Sequence, residues 1–430
     1  MSDSANTDGT GVARVADVAG LGAAAVDAAG AAGWRRGAGV AGAAIGVVAA
    51  GAAVGVAVER LTVGRGVRRK ARLALDSMGP YGTLRGRPGR AVAEDGTELY
   101  YEVDEVEEDA SADASAGASA DAQEPLLKRI FGRRTPPPVT VIFSHGYCLG
   151  QDAWHFQRAA LRGAVRTVFW DQRSHGRSER GRSQLDGSVP VSIDLLGRDL
   201  KAVIDAAAPE GPLVLVGHSM GGMTMMALAA QYPELIAERV VGAAFVSTSS
   251  GGLAANTYGL PAAGMSVVRR VLPGVFKVMT AQPELVERGR RATADLFAGL
   301  IRRYSFGSRD VDPAVTRFAE RLLEATPVDI VAEFYRVFAE HDKVQALCTF
   351  ADRPVVVIGG EKDLMIPSGH SEAIAEVLPG ARLVLLPGVG HLAMLEQPEV
   401  VSGCLLELLE AAGADAGASR EQVPAARRRV

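Results

Sequence analysis

A serine with glycine two positions away on either side stands in Leu213–Met223, which reads LVLVGHSMGGM. In a chain holding 50 glycines the pattern Gly217-x-Ser219-x-Gly221 is weak evidence by itself. Its neighbours decide. The apolar run LVLV before it has the character of a strand buried on both faces of a parallel sheet. The stretch GGMTMMALAAQY after it holds good helix formers and no charge, and it stops before Pro233. Strand, tight turn and buried helix place Ser219 on a sharp reversal, where a Cβ at Gly217 or Gly221 would collide. A hydroxyl presented in this way is a candidate nucleophile.

Such a hydroxyl reacts only when a base takes its proton, and the base needs an acid to orient it. With seven histidines in the chain the search is short. His391 follows a strand-like run in LLPGVGHLAMLEQP, on a loop leading into a helix. Asp363 follows another in VVVIGGEKDLMIP, with Glu361 close by. Loops at the carboxyl ends of parallel strands converge on one crevice, so Ser219, Asp363 and His391 can meet there.

The elements that must position them alternate along the chain. RTVFWD, PLVLVG, VVGAAFVS, PVVVIG and ARLVLLPG read as strands separated mostly by helical patterns, which predicts a mainly parallel sheet with flanking helices. Arg90 to Asp104 reads as a hairpin around an Asp-Gly turn. From Gly251 to Gln345 no strand is evident; Pro261, Pro273, Pro283 and Pro313 punctuate helical stretches, and a helical lid over the carboxyl edge of the sheet is expected.

The rest of the chain sets the context. Residues 1–33 read as a disordered tail and 34–60 as a transmembrane helix, because the uncharged run Gly37–Val58 would span about 33 Å as a helix. Residues 61–89 form a basic juxtamembrane linker; Arg60, Arg65, Arg68, Arg69, Lys70 and Arg72 outweigh Arg14, Arg35 and Arg36 before the run. The positive-inside rule then puts the catalytic part on the cytoplasmic side of a bacterial membrane; without the span it would be cytoplasmic. Gly42 with Gly46 and Gly51 with Gly55 could pack such helices into a homodimer. The core runs over 90–250, interrupted by an acidic disordered insertion at 105–138, and over 346–411, with the lid at 251–345 and a disordered tail at 412–430. A net charge of −4 gives no reason to expect nucleic acid as a partner. Cys148, Cys348 and Cys404 are odd in number and form no metal-ligand spacing, so neither a disulfide framework nor a zinc site is expected.

The motifs SHGY, DQRSHGRS, GHSMGG, GGEKD and GVGH, in this order and spacing, make the chain from about Arg90 to Ala411, the acidic insertion excepted, resemble the α/β-hydrolase superfamily, in its serine-nucleophile esterase- and lipase-like branch. The resemblance implies that Ser219 is the nucleophile, His391 the general base and Asp363, which matches the family position better than Glu361, the orienting acid. It implies an oxyanion hole from the backbone amides of Met220 and Tyr147. It also implies that Asp171, Arg173, Gly176 and Ser178 brace the crevice. An aspartate at the elbow, the mark of haloalkane dehalogenases and epoxide hydrolases, is replaced here by serine.

The activity expected is hydrolysis of carboxylic esters with an apolar acyl or alcohol group through an acyl-enzyme, without cofactor or metal, acting on small-molecule or lipid-like esters. Because a histidine base acts when neutral, the rate should fall as pH drops below about 6 to 7. The same triad also serves acyl transfer, carbon–carbon bond hydrolysis and cofactor-free peroxidation, and a non-catalytic membrane-tethered scaffold is the reading of a different class. Among the other residues, His218 reads as elbow packing and His145 as a loop hydrogen-bonder, while His155, His175, His341 and His370 read as packing or surface groups. Met220, Met223, Met225 and Met226 read as apolar filling, with Met220 the one placed to touch substrate, and Arg198 and Asp199 as the exposed face of a crossover helix.

Overall fold

The alternation of short apolar runs with helical stretches resolves into one sheet of eight strands in a computed structural model that describes residues 81–106, 138–292 and 294–413. The segments read as tail, membrane helix and most of the basic linker lie outside the described residues, as do the acidic insertion from 107 to 137 and the tail from 414. Among the described residues, no helix is long and apolar enough to cross a membrane.

The strands are β1 (Arg87–Val92), β2 (Glu98–Asp104), β3 (Thr140–Ser144), β4 (Arg166–Trp170), β5 (Leu213–His218), β6 (Val240–Val246), β7 (Val355–Gly360) and β8 (Arg382–Leu386). They lie in the order β1-β2-β4-β3-β5-β6-β7-β8. The hairpin β1–β2 and the pair β2–β4 are antiparallel and every other pair is parallel. The hairpin turns at Asp95 and Gly96: the Asp95 carboxylate accepts the Thr97 amide at 3.1 Å, and Gly96 takes φ +81°. β1 begins at Arg87, ahead of the boundary read at 90, and Tyr81 packs its ring on His155, Phe156 and Phe318, which gives this stretch a reason to be ordered.

Helices cover both faces. They are α1 (His155–Leu161), α2 (Arg182–Asp186), α3 (Ile193–Ala207), α4 (Met220–Gln231) and α5 (Pro233–Arg239) before and beside β6. Between β6 and β7 come α6 (Ala262–Ala281), α7 (Pro283–Ala292), α8 (Ala294–Ser305), α9 (Pro313–Glu324) and α10 (Val328–Tyr335); α11 (Gly369–Val377), α12 (Ala393–Glu396) and α13 (Pro398–Ala411) follow. Alternate side chains of each strand point to opposite faces, so one strand feeds two cores. Val214 and Val216 of β5 join Phe143, Val356 and, from α13, Val401 and Leu405. Leu213 and Leu215 join Ile142, Phe245 and, from α3, Leu200 and Val203. Lying between the sheet and α3, α4 is buried from Met220 to Ala229, which is why its sequence carries no charge.

Two details depart from the sequence reading. Pro273 lies inside α6 and does not end it, whereas Pro283 and Pro313 occupy first turns, where the missing amide hydrogen costs nothing. Asp199 is buried, 1% exposed, and does not lie on an outer face of α3. Its two carboxylate oxygens accept from Arg173 Nε and Nη2 at 2.5 and 2.6 Å, and Arg173 Nη1 reaches Asp95 at 3.0 Å. This ion pair ties the loop after β4 to α3 and to the hairpin.

Candidate active site

The carboxyl end of β5 runs directly into α4, and Ser219 makes the connection with φ +51° and ψ −118°, a strained conformation for a residue with a side chain. Glycine on both sides makes the turn possible. A Cβ on Gly217 would lie 2.6 Å from the Gly221 carbonyl carbon and the Gly222 nitrogen, and one on Gly221 would overlap the Ser144 carbonyl of β3. Main-chain bonds hold the turn from outside: the Ser219 amide donates to Val246 O at 2.9 Å, and the Thr248 hydroxyl donates to Ser219 O at 2.7 Å.

Asp363 follows β7 and His391 follows β8, so parallel pairing carries both to the edge that holds Ser219. His391 Nε2 lies 3.0 Å from Ser219 Oγ, and His391 Nδ1 lies 2.7 Å from Asp363 Oδ2. The other carboxylate oxygen, Oδ1, accepts the amides of Met365 and Ile366, each at 2.8 Å. Asp363 is 4% exposed and Ser219 8%, so the three groups interact with little competition from solvent. With Asp363 accepting from Nδ1–H, the lone pair of Nε2 faces the serine hydroxyl, which is the arrangement a general base requires.

Around this relay stands a set of supports, of which the sequence reading assigned a supporting role to Asp171 and His145 and none to Glu396, Gln172 or Thr224. His218, read as packing, has Nε2 2.9 Å from the His391 carbonyl, to which it donates, and so fixes the backbone of the neighbouring histidine. Glu396 accepts the amides of Gly390 and Ser308, each at 2.8 Å, and that of Gly307 at 3.0 Å, which ties the His391 loop to the segment after α8. Gln172 donates to His145 O at 2.6 Å and accepts from the Thr224 hydroxyl at 2.8 Å, joining the loop after β3 to α4. His145 Nε2 accepts the Gln172 amide at 2.9 Å, and Asp171 accepts the amides of Gln151 and Arg177 at 2.6 and 2.9 Å. Most of these supports sit within or beside a recognised motif, with Glu396 five residues beyond His391, but only the folded geometry shows what each holds.

The residues read as oxyanion donors flank the serine. Met220 opens α4, where the first amides of a helix have no partner within it and carry partial positive charge. Tyr147 lines the same cavity as Ser219; its hydroxyl donates to the Val331 carbonyl of α10, and burial raises that phenol well above its ordinary value. The cavity, about 370 Å³, opens on Ser219 and His391 and is walled by residues such as Leu149, Met223, Leu300, Val331 and Phe338. Among the described residues no Asp, Glu, Lys or Arg lines it. Met223, one turn into α4, reaches this wall, whereas Met220 packs fully buried against a cluster with Phe334 and Ile330. No group of three or more His, Cys, Asp or Glu among the described residues has the geometry to hold a metal ion.

Three buried histidines near the relay make stability depend on pH. Burial, with a neighbouring histidine, pushes His145 down to about 3 and holds His218 well below its ordinary value; burial alone pushes His175 down to about 4. Unfolded, each takes up a proton near pH 6.5. Because the folded values are depressed, their contribution is present above pH 6.5 and is lost as pH falls toward 4. Asp171 and Asp199, raised by burial to about 6, act in the opposite sense and gain stability as pH falls through 6. Between pH 7.5 and 5.5 each histidine costs about 1 kcal/mol, and each aspartate returns a smaller amount. The melting temperature should therefore be several degrees lower at pH 5.5 than at 7.5; an equal or higher value would mean that these histidines are protonated in the folded protein.

Comparison with known proteins agrees with the architecture. The family profile described as alpha/beta hydrolase fold matches residues 139–398, more than half of the 430-residue chain. An uncharacterized protein of Mycobacterium tuberculosis is 25% identical over 265 residues, covering 60% of this chain and 71% of that protein. A pimeloyl-[acyl-carrier protein] methyl ester esterase of Nitrosomonas europaea is 24% identical over 267 residues, covering 61% of this chain and 93% of that protein. A thermophilic esterase from Thermogutta terrifontis superimposes with a TM-score of 0.53 at 21% identity, covering 76% of this chain and 99% of that one, a likeness of fold. With an eight-stranded sheet, a strained serine at the end of β5 and a profile match across most of the described core, the chain belongs to the α/β-hydrolase fold family.

Proposed function

We propose that this protein is a serine hydrolase that cleaves carboxylic esters with an apolar acyl or alcohol group. The observation that carries the reading is the continuous relay from Asp363 through His391 to Ser219, at 2.7 and 3.0 Å, opening on a cavity without charged walls. An uncharged ester enters such a cavity at little desolvation cost, whereas a charged substrate group would find no partner there. The named esterase among the relatives supports the same reaction class.

In the proposed mechanism Ser219 Oγ attacks the ester carbonyl as its proton passes to His391 Nε2. Asp363 holds the imidazole in the tautomer that accepts this proton and stabilises the imidazolium that forms. The amides of Met220 and Tyr147 receive the developing oxyanion, a service worth about 10²- to 10³-fold in rate per donor. The proton then moves from Nε2 to the departing alkoxide, which leaves as the alcohol and breaks the ester C–O bond. Water, deprotonated by the same histidine, attacks the acyl-enzyme and releases the acid and free Ser219.

Purified protein treated with a fluorophosphonate probe is expected to be labelled at Ser219, with labelling lost in Ser219→Ala, and to turn over p-nitrophenyl butyrate. Folded protein that neither labels nor releases nitrophenol from the butyrate would remove the reading.

A further inference from the structure

We propose that a second chamber, separated from the Ser219 cavity by Tyr258 and Tyr335, receives the far part of a long acyl chain, so that this tyrosine pair sets the chain-length preference of the enzyme. The inference rests on the ester-hydrolase reading and adds to it the kind of ester. The second chamber, about 430 Å³, shares a wall of four residues with the first: Leu253, Tyr258, Tyr335 and Phe338. Most of its remaining apolar lining comes from α6, through Met265, Leu272, Pro273 and Phe276, with Ala254 and Ala339 beside them. Arg269, Arg336 and Glu340, all exposed, also line it, so the chamber has an apolar body and a polar rim. That is the profile of a site for the tail of an amphiphile, whose chain is buried while any polar terminus meets solvent.

The partition itself is built to part. Tyr258 and Tyr335 both stand in the wall common to the two chambers, and Tyr335 rests on Phe276 with ring centroids 4.7 Å apart. Tyr258 sits on the loop before α6 at φ +52°, where its amide donates to the Asn256 side chain at 3.1 Å and its carbonyl is met by the Tyr304 hydroxyl at 3.4 Å. Neither ring belongs to the sheet core, so a side-chain rotation of either costs its local contacts, Tyr335 on Phe276 among them, and the burial of several methylenes offsets that cost. With the two rings apart, the chambers join into one apolar space that runs from Ser219 to the lining residues of α6.

The test uses the full chain and compares kcat/KM for p-nitrophenyl dodecanoate with that for p-nitrophenyl butyrate. Leu272→Trp, which fills the second chamber and does not border the first, should lower the dodecanoate-to-butyrate ratio at least tenfold. Tyr335→Ala, which removes half of the partition, should raise it severalfold. Ala254→Trp blocks the same chamber from the loop and replaces Leu272→Trp if that variant does not fold. In the Ser219→Ala background, displacement of a fluorescent fatty acid by dodecanoate should weaken about tenfold on adding Leu272→Trp. Butyrate turnover with an unaltered ratio in all variants overturns the chamber and leaves the hydrolase reading intact. Absence of butyrate turnover in wild type overturns the hydrolase reading, and the fatty-acid measurement then decides the chamber by itself.

Discussion

Asp363→Asn is expected to lower kcat for a short-chain ester by about 10⁴-fold while the protein remains folded. The size of the effect follows from how the carboxylate is held. Its Oδ1 accepts two main-chain amides, from Met365 and Ile366, which an asparagine can satisfy only by placing its own oxygen there. The NH₂ group is then directed at His391 Nδ1, where Asp363 Oδ2 accepted a hydrogen bond at 2.7 Å. A donor at that point forces the proton of the imidazole onto Nε2, toward Ser219, and the base is lost although no atom has moved far. The check is kcat for p-nitrophenyl butyrate beside a thermal unfolding curve. A folded variant that keeps more than a tenth of the wild-type rate would mean that Asp363 does not orient the base.

The second large effect concerns stability. Arg173→Met is expected to destabilise the fold by about 3–5 kcal/mol at pH 7.5, because Asp199 loses both short hydrogen bonds while remaining buried. The carboxylate must then stay charged without a partner or take up a proton at a pH far above its ordinary range, and both cost free energy. Two further outcomes separate this cause from simple loss of packing. The double variant Arg173→Met, Asp199→Leu should recover most of the stability, since an apolar pair of similar volume carries no buried charge. The deficit of the single variant should also shrink at pH 5.5, where protonation of Asp199 comes more cheaply. Equal losses in single and double variants at both pH values would show that the pair contributes by shape and not by charge compensation.

The relay was legible before the fold because each member is marked locally: Ser219 by its flanking glycines, Asp363 and His391 by apolar runs that end just before them. The order of the strands and the parallel pairing then bring the three loops together. What escaped was most of the layer that holds them, and the reasons differ from residue to residue. Asp199 looked solvent-facing beside Arg198, yet a helical period starting from Leu196 and passing through Leu200 and Val203 puts residue 199 on the buried side of α3. Its partner, far off in the chain at Arg173, is what makes that burial tolerable. Met220 adjoins Ser219 in sequence, but of the two methionines that α4 sends into the cluster with Phe334, it is Met223 that also reaches the cavity wall. His218 and Glu396 act on main-chain groups of the His391 loop, and a bond to a carbonyl or amide leaves no trace in residue type. The helical character of the stretch between β6 and β7 was readable, but the tyrosine partition was not, since Tyr258 and Tyr335 meet only through tertiary packing.

The distance along the chain between Ser219 and His391 has a consequence for how the protein is made. The two residues are separated by 172 positions, with all of α6–α10 between them. At about 5–20 residues per second, a ribosome reaches His391 roughly 10 to 30 seconds after Ser219. On the proposed mechanism the elbow has no base throughout that interval, and its hydroxyl is no more reactive than that of an ordinary alcohol. The proposed activity would therefore be absent from nascent chains and arrive in one step when β7 and β8 dock at the edge of the sheet.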